Sequence, residues 1–341
     1  MDVALLNPET RRARLRILAV SGHWGVKSHR VCAGIFVDRQ LASLERLGVE
    51  VDTFDVGLSH NPFEIVKKLV ELRKLVRKNK PHLVHGQYGT IIGFLAAFSG
   101  APSVISFCGS DLLPGASVST ARMAFGFLLS NLAALRACKI ICKTNELRNA
   151  LWWRKHVADV IPNGVDLEMF YPGSQDEARS RLGWNMDHPV VLFYVGQDKK
   201  NKGLDIAQAA MKIVQKKLPK AELHIFSNVE PNQMSWYYRA GDVLLCASRQ
   251  EGSPNVIKEA LACNLPVVSS PVGDVVERLA GVHPSEIVER TPKSMGRAIL
   301  KVLFRKTRSN GRERVELLSL DQVATRVLEV YQVALGVKDK E

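Results

Sequence analysis

The stretch Ser248–Glu277, SRQEGSPNVIKEALACNLPVVSSPVGDVVE, decides how this chain is read. It begins where DVLLCAS (242–248), a short apolar run of strand character, comes to an end. Glu251 and Gly252 form a turn, Ser253 is a favoured helix cap and Pro254 a favoured first helical residue. The amides around Gly252 to Val256 are thereby expected to point out of a helix N-terminus, where anions bind. Glu259 sits in the following turns of the same helix. At a rise of about 1.5 Å per residue, Glu251 and Glu259 can flank a ligand of about 10 Å. Sugar hydroxyls are natural partners for such carboxylates. Two glutamates at this separation also arise by chance, so the pair takes its meaning from its setting: strand, EGSPN turn, capped helix, then the PVVSSPVGD strand and turn.

The same alternation of short apolar runs and amphipathic segments extends outward in both directions. LRILAV, VEVDTFDV, HLVH, SVISF, KIIC and VADVIP read as strands on the N-terminal side. Between them, helices are expected over Val31–Leu47, from Pro62 to about Asn79, and over Gly89–Phe98, Val118–Ala137 and Asn145–Lys155. Ile161–Pro189 is rich in Pro, Gly, Asn and Asp and reads as a linker. The rhythm then restarts with VVLFYVG, a helix over Gly203–Leu218, AELHIF, a short helix near Gln233–Arg239, and the stretch quoted above. Thr291 and Pro292 open another helix, and an amphipathic segment, Asp321–Ala334, ends the pattern. No tandem repeat or low-complexity segment interrupts it. The expectation is an α/β chain of two Rossmann-like parallel-sheet domains, with ligands at the carboxyl ends of the strands and the site in the cleft where the domains face each other.

Composition narrows the class. With 341 residues, 46% hydrophobic and 24% charged, the chain is long and apolar enough for two cores, which excludes a disordered chain, a coiled coil and a collagen-like fibre. Lys and Arg total 47 against 34 Asp and Glu, a net charge of +13, which points to an anionic partner. The six cysteines form no CxxC pair and several sit in apolar runs, as Cys142 does in KIICK; they read as reduced core cysteines of a cytoplasmic protein. The N-terminus lacks the order of a secretory signal. The most apolar helical stretch, Met123–Leu135, is too short for the roughly 20 residues of a membrane span. The run from Lys67 to Lys80 reads as a solvated helix face or, more sharply, as a basic patch for anionic lipid at the inner face of the cell membrane. No basic stretch interleaved with aromatics and no nucleic-acid motif is present, so no nucleic-acid partner is expected.

Ser248–Glu277 resembles the E-x7-E signature of retaining glycosyltransferases of the GT-B fold, in particular the large family 4 (GT4, glycosyl transferases group 1), with Glu251 and Glu259 on its two Glu positions. IPNGVDLEMFYP (161–172) resembles the family's interdomain segment, GQDKKNKGLDIAQAA (196–210) its G-R-x(n)-K-G loop, and AGIFVDRQLASLERLGVEVDTFDV (33–56) its first helix and second strand. The likeness covers almost the whole chain, with the motifs in the family's order. It implies an acceptor domain over 1–160, a nucleotide-sugar donor domain over 161–315, and a helix within 316–341 that crosses back to the first domain.

Carried over, the resemblance implies a hexosyltransferase that moves a sugar from a nucleotide-sugar to a glycan, lipid-linked or small-molecule acceptor with retention. Glu251 would contact the transferred sugar and Glu259 the ribose hydroxyls. Gly252, Ser253, Pro254, Asn255 and Val256 would hold sugar and phosphate. Lys202, with Gly196 and Lys199 of the same loop, would face the diphosphate, and Gly22 to Gly25 would lie beside acceptor and diphosphate. A cation and helix amides suit a leaving diphosphate without a metal, and no DxD stands at a strand end; no metal or other cofactor is therefore expected. The chain departs from the family pattern in three places: Gln197 stands where Arg is usual, FCGSD places Cys108 where an H-G-x-D turn has His, with Asp111 on its acid, and AELHIFSNVEPNQMSWYYRAGD is short where the family inserts another helix and strand, which reduces the pocket for the base. Two further readings stay open, a nonhydrolysing sugar-nucleotide epimerase of the same fold and a sugar-nucleotide-binding protein with weakened catalysis.

Overall fold

In the computed structural model, which describes residues 14–22, 34–57, 61–114, 119–196 and 198–336, the apolar runs become two parallel sheets. The first contains β1 (Arg16–Ser21), β2 (Glu50–Asp55), β3 (Leu83–Gly86), β4 (Ser103–Phe107), β5 (Lys139–Cys142) and β6 (Ala158–Val160). Helices α1 (Ile35–Arg46), α2 (Pro62–Asn79), α3 (Thr90–Ala97), α4 (Thr120–Arg136) and α5 (Asn145–Ala150) connect them. The second sheet contains β7 (Val190–Tyr194), β8 (Glu222–Phe226), β9 (Val243–Cys246), β10 (Val267–Ser269) and β11 (Glu286–Ile287). Its helices are α6 (Gln175–Leu182), α7 (Lys199–Lys202), α8 (Leu204–Gln215), α9 (Pro231–Ala240), α10 (Asn255–Ala262), α11 (Val275–Leu279), α12 (Pro292–Arg305) and α13 (Gly311–Val315). The last helix, α14 (Leu320–Ala334), belongs with the first sheet.

Both sheets share one winding. The strand orders are β2-β1-β3-β4-β5-β6 and β11-β10-β9-β7-β8, so each sheet reverses direction between its first and third strands. Loops leaving the carboxyl ends of β1 and β3, or of β7 and β9, diverge there and open a crevice, the usual ligand position in such sheets. Burial explains the sequence patterns. β3, β4 and β9 are buried on both faces and read as unbroken apolar runs, whereas β2 is a half-exposed edge strand and alternates.

The described residues form two compact units, those up to Gly164 together with those from Leu320 onward, and Val165–Ser319. In the first, α2, α3 and α4 cover one face of the sheet. The other face is covered by α1 and α14, whose Val323, Val327 and Tyr331 pack with Ile17, Ala19 and Leu44. Arg326 also donates to the Val160 carbonyl at 2.7 Å. In the second unit, α8 and α12 cover one face and α9, α10 and α13 the other.

Two expectations are corrected. The segment expected as a linker, Ile161–Pro189, is largely built into the second unit: Ser174 caps α6, and the buried Arg179 pairs with Asp242 at 2.7 Å. The helix expected over Asn145–Lys155 stops at Ala150. There the Trp152 amide donates to Asn131 Oδ1 and the Arg154 guanidinium gathers the carbonyls of Ala134, Leu135 and Ala137 at the end of α4, contacts that outweigh local helix propensity. Among the described residues, no helix is long and apolar enough to cross a membrane.

Candidate functional site

Two loops at the switch point of the second sheet are tied together. Past β7, Gly196 takes a positive φ of 53°, and Asp198 caps the short helix α7 through the Asn201 amide. Gly203 ends that helix at φ 75°, where a Cβ would run into the Ala247 carbonyl; the glycine is what lets this loop close on the one after β9. Asn201 then makes two links to that second loop: its Nδ2 donates to the Gln250 carbonyl at 2.9 Å, and its carbonyl accepts from Arg249 N at 2.7 Å. The third link is ionic. Lys202 Nζ meets Glu251 Oε1 at 2.5 Å, and Ser248 Oγ donates to the same oxygen at 2.8 Å. Burial pulls the Lys202 ammonium down, but the Glu251 carboxylate more than offsets this, so its pKa lies above the ordinary lysine value. Lys199 stands at the first position of α7.

The turn after Glu251 is rigid for a different reason. Gly252 and Gly273 lie so close that a Cβ on Gly273, itself at φ 54°, would overlap the Gly252 carbonyl, which accepts from Asp274 N at 3.2 Å. Ser253 does not cap the helix as expected. Pro254 occupies the N-cap and Asn255 the first helical position, while Ser253 Oγ donates to Asp274 Oδ2 at 2.8 Å and accepts from Lys258 Nζ at 3.0 Å. The buried Asp274–Ser253–Lys258 chain thus holds the turn from below, and the first turn of α10, with Asn255 and Val256, follows directly from it. Glu259 lies one turn on, 9% exposed, with Oε2 accepting from Tyr238 Oη at 2.9 Å. Sequence reasoning had no signal for Tyr238, Asp274 or Lys258; it had the residues around Ser248 but not that hydroxyl's role.

The carboxyl edge of the first sheet carries the remaining candidates. Gly22 is buried directly after β1; Gly25 and Gln197 lie outside the described residues. Cys108 follows β4, half-buried, with its sulfur 3.9 Å from the Gln87 carbonyl. Asp111 is fully buried, and its carboxylate accepts backbone N–H groups of Gly89, Cys108 and Gly109 at 2.7–3.1 Å. Burial raises its pKa and these amides oppose the rise. Burial, with Asp111 beside it, pushes the Cys108 thiol up to about 12, so the sulfur is a neutral thiol. His85 is held neutral as well, with a pKa lowered to about 3 by burial and then by Lys143.

Set beside known proteins, the architecture finds close parallels. A sucrose-phosphate synthase from Thermosynechococcus elongatus superposes with a TM-score of 0.77 at 19% identity, covering 95% of this chain and all of that one. The Anabaena protein HepE, solved in complex with UDP and glucose, gives 0.69 at 15% identity over 94% of this chain and all of its own. The fold is GT-B. A UDP-N-acetylglucosamine 2-epimerase of Listeria monocytogenes shares it at 0.64 and 11% identity, covering 96% of this chain and 98% of its own. Two family models match, "Glycosyltransferase Family 4" over residues 25–169 and "Glycosyl transferases group 1" over 226–304. Among curated relatives, a D-inositol 3-phosphate glycosyltransferase of Segniliparus rotundus is 32% identical over 157 residues, 36% of this chain and 35% of that protein. An uncharacterized glycosyltransferase of Methanocaldococcus jannaschii is 24% identical over 81% of each chain. The match therefore spans about a third of the length of the first of these relatives and most of the second. These matches support the family 4 resemblance within the GT-B fold.

Proposed function

We propose that the protein is a retaining glycosyltransferase of hexosyltransferase type that uses a nucleotide-sugar donor and needs no metal. The observation that carries this reading is the Lys202–Glu251 pair at the switch point of the second sheet, followed at once by the first turn of α10 with Glu259 in the same helix. A nucleoside diphosphate presents a sugar, two phosphates and ribose hydroxyls in a row. Glu251 would meet the sugar hydroxyls, the first-turn amides and Lys202 the phosphates, and Glu259 the ribose. Gly196, Lys199, Gly252, Ser253, Pro254, Asn255 and Val256 would shape this donor site. Cys108, Asp111 and Gly22 would stand on the acceptor side, with the first unit receiving a glycan, lipid-linked or small-molecule acceptor.

In the step itself, the bond between the anomeric carbon and the phosphate oxygen breaks and its electron pair leaves with the diphosphate. The acceptor oxygen bonds to the anomeric carbon on the same face, and its proton passes to the leaving phosphate oxygen. Negative charge grows on the diphosphate as this proceeds, so Lys202 contributes most in the transition state. That cation and the helix amides supply the stabilisation a divalent ion would otherwise give.

The relatives' UDP and UDP-glucose complexes make a UDP-sugar the first donor to test. Incubation with UDP-, GDP- and ADP-sugars and a membrane extract should yield transfer, with retained anomeric configuration by NMR and no loss of rate in EDTA. An epimerised sugar would favour the epimerase reading, and an inverted product would remove retention. Glu259→Gln should weaken donor binding about ten- to hundredfold, the worth of a charged hydrogen bond; unchanged affinity in calorimetry would remove Glu259 from the ribose site.

We also propose a cytoplasmic protein in peripheral contact with the inner membrane face. On α2, Phe63 is 83% exposed and Val66 and Val70 share its open face, with Lys67, Lys74, Arg77 and Lys78 beside them. An exposed apolar and basic helix face suits anionic lipid. Vesicles with phosphatidylglycerol should bind the protein and vesicles of phosphatidylcholine alone should not.

A further inference from the structure

The carboxyl edge of the first sheet contains a buried lysine whose amine, among the described residues, makes no hydrogen bond. β4 and β5 pair with Phe107 opposite Cys142, and the Lys143 amide donates to the Phe107 carbonyl. Cys108 and Lys143 directly follow these two strands, and Lys143 lies within electrostatic reach of Cys108 and Asp111. Lys143 is 1% exposed, and its Nζ is buried with no hydrogen-bond partner among the described residues.

The surrounding groups are already committed. The Asp111 carboxylate is held by backbone amides. At His85, Gln87 Nε2 can only donate, so Nδ1 accepts and Nε2–H donates to Ser106 Oγ at 2.8 Å; the ring is neutral and carries no acceptor for an ammonium. Tyr331 Oη donates to the same Nδ1 at 2.6 Å. Cys108 is a neutral thiol. Burial lowers the Lys143 pKa and the nearby Asp111 carboxylate opposes this without a hydrogen bond, so an anion bound here would favour the ammonium form. Lys258 in the second unit shows the answered form, with Nζ on Ser253 and Asp274 next in line.

We propose that Lys143 anchors an anion subsite at the carboxyl edge of the first sheet, one that takes a phosphate or carboxylate group of a ligand. The subsite stands without the transfer reading. Assigning its anion to the acceptor, rather than to the diphosphate of a donor, rests on that reading. On it, the acceptor is a phosphorylated or carboxylated sugar or polyol, and Lys143 brings to this edge the polar contact that Cys108 does not.

The test uses the full chain, the variants Lys143→Met, Lys143→Arg and Lys202→Met, and three probes: inorganic phosphate, glucuronate and pyrophosphate. Thermal unfolding and calorimetry supply the readouts. In place of a buried amine without a hydrogen bond among the described residues, Met puts an apolar chain of similar length, so the ligand-free Lys143→Met protein should unfold at or above the wild-type temperature. It should also bind phosphate and glucuronate at least about tenfold more weakly. Lys143→Arg should keep most of that binding, and in Lys202→Met the loss of pyrophosphate should exceed any loss of phosphate or glucuronate. The proposal fails if wild type binds neither monoanion, if Lys143→Met binds them as wild type does, or if that variant melts earlier without ligand, which would reveal a partner for the lysine inside the protein. Loss of pyrophosphate alone in Lys143→Met would overturn the acceptor assignment and give the lysine to the donor diphosphate. Failure of every nucleotide-sugar to bind, with the phosphate result intact, would remove the transfer reading and leave the subsite.

Discussion

At the carboxyl edge of the second sheet, charged side chains are answered by other side chains: Lys202 by Glu251, Lys258 by Ser253 and through it Asp274, Glu259 by Tyr238. At the same edge of the first sheet, among the described residues, Asp111 is held by backbone amides and Lys143 makes no hydrogen bond. The winding is the same, so the difference lies in what each edge holds ready. Side-chain pairs can be exchanged for a ligand's groups: on the proposed reading, a diphosphate and sugar would take Lys202 and Glu251 from each other without leaving either charge bare. A carboxylate bound to amides is spent on shape. On that reading the second edge would handle changing charge and the first would present a fixed surface.

The largest test of that contrast is Lys202→Ala. It should lower kcat by about 10²–10³, the usual worth of one preorganised group facing developing charge, with a smaller change in donor KM. A raised KM with kcat untouched would make Lys202 a binding residue and remove the claim that the pair stores charge for the reaction.

Asp111→Asn probes the opposite edge. An amide keeps one accepting oxygen and turns an NH2 group toward N–H donors, so unfolding in urea should show the protein weakened by about 2–3 kcal/mol. Donor binding by the folded protein should be unaffected. Undiminished stability would mean that the FCGSD turn holds its shape without the carboxylate.

His85 gives the same edge a pH dependence. Its folded pKa, about 3, lies below the unfolded value of about 6.5. The stability tied to this depression is present above pH ~6.5 and is lost as pH falls through that window towards 3. At pH ~5 the loss should be about 1–2 kcal/mol. His85→Gln can still accept from Tyr331 and donate to Ser106 without titrating, so its Tm should fall less steeply with acid than that of wild type. Parallel Tm curves would exclude His85 as the cause.

The contrast was only half visible in the sequence. Two-sided burial writes itself as runs such as SVISF and VLLC, and the strands were read from those. Glu251, Glu259 and Lys202 were singled out because they stand in loops and a helix start with recognisable turn chemistry. What tertiary contacts decide was not legible. Ser253 looks like a cap but is drawn to Asp274, which is twenty-one residues away in sequence. Asn145–Lys155 looks like one helix but is broken by the end of α4. The two-residue strand β11 is too short to carry a period. Lys143 is the sharpest case: within KIICK it reads as the polar end of an apolar strand, and only the register beside Phe107 and the burial of its Nζ reveal an amine without a hydrogen bond among the described residues.

The smallest effect is expected at Cys108. In front-face displacement the leaving phosphate takes the acceptor's proton, so a residue on the acceptor side needs only to position the sugar. The structure offers Cys108 little more than that: its sulfur touches the Gln87 carbonyl loosely at 3.9 Å, and its thiol, with a pKa pushed up to about 12, is no nucleophile near neutral pH. Cys108→Ala should therefore keep transfer within about tenfold of wild type, a loss of no more than about 1.4 kcal/mol in barrier. The rate should show no thiol titration between pH ~7 and ~9, where an unperturbed cysteine ionises. Cys108→His restores an imidazole on the carboxyl edge and should match or exceed the wild-type rate unless the neighbouring Asp111 carboxylate holds the ring as imidazolium; a pH–rate profile distinguishes the two. If Cys108→Ala abolishes transfer in a protein that still folds and binds donor, the thiol acts in the chemistry. The first edge would then be more than a fixed surface, and the difference between the two sheets would have to be drawn elsewhere.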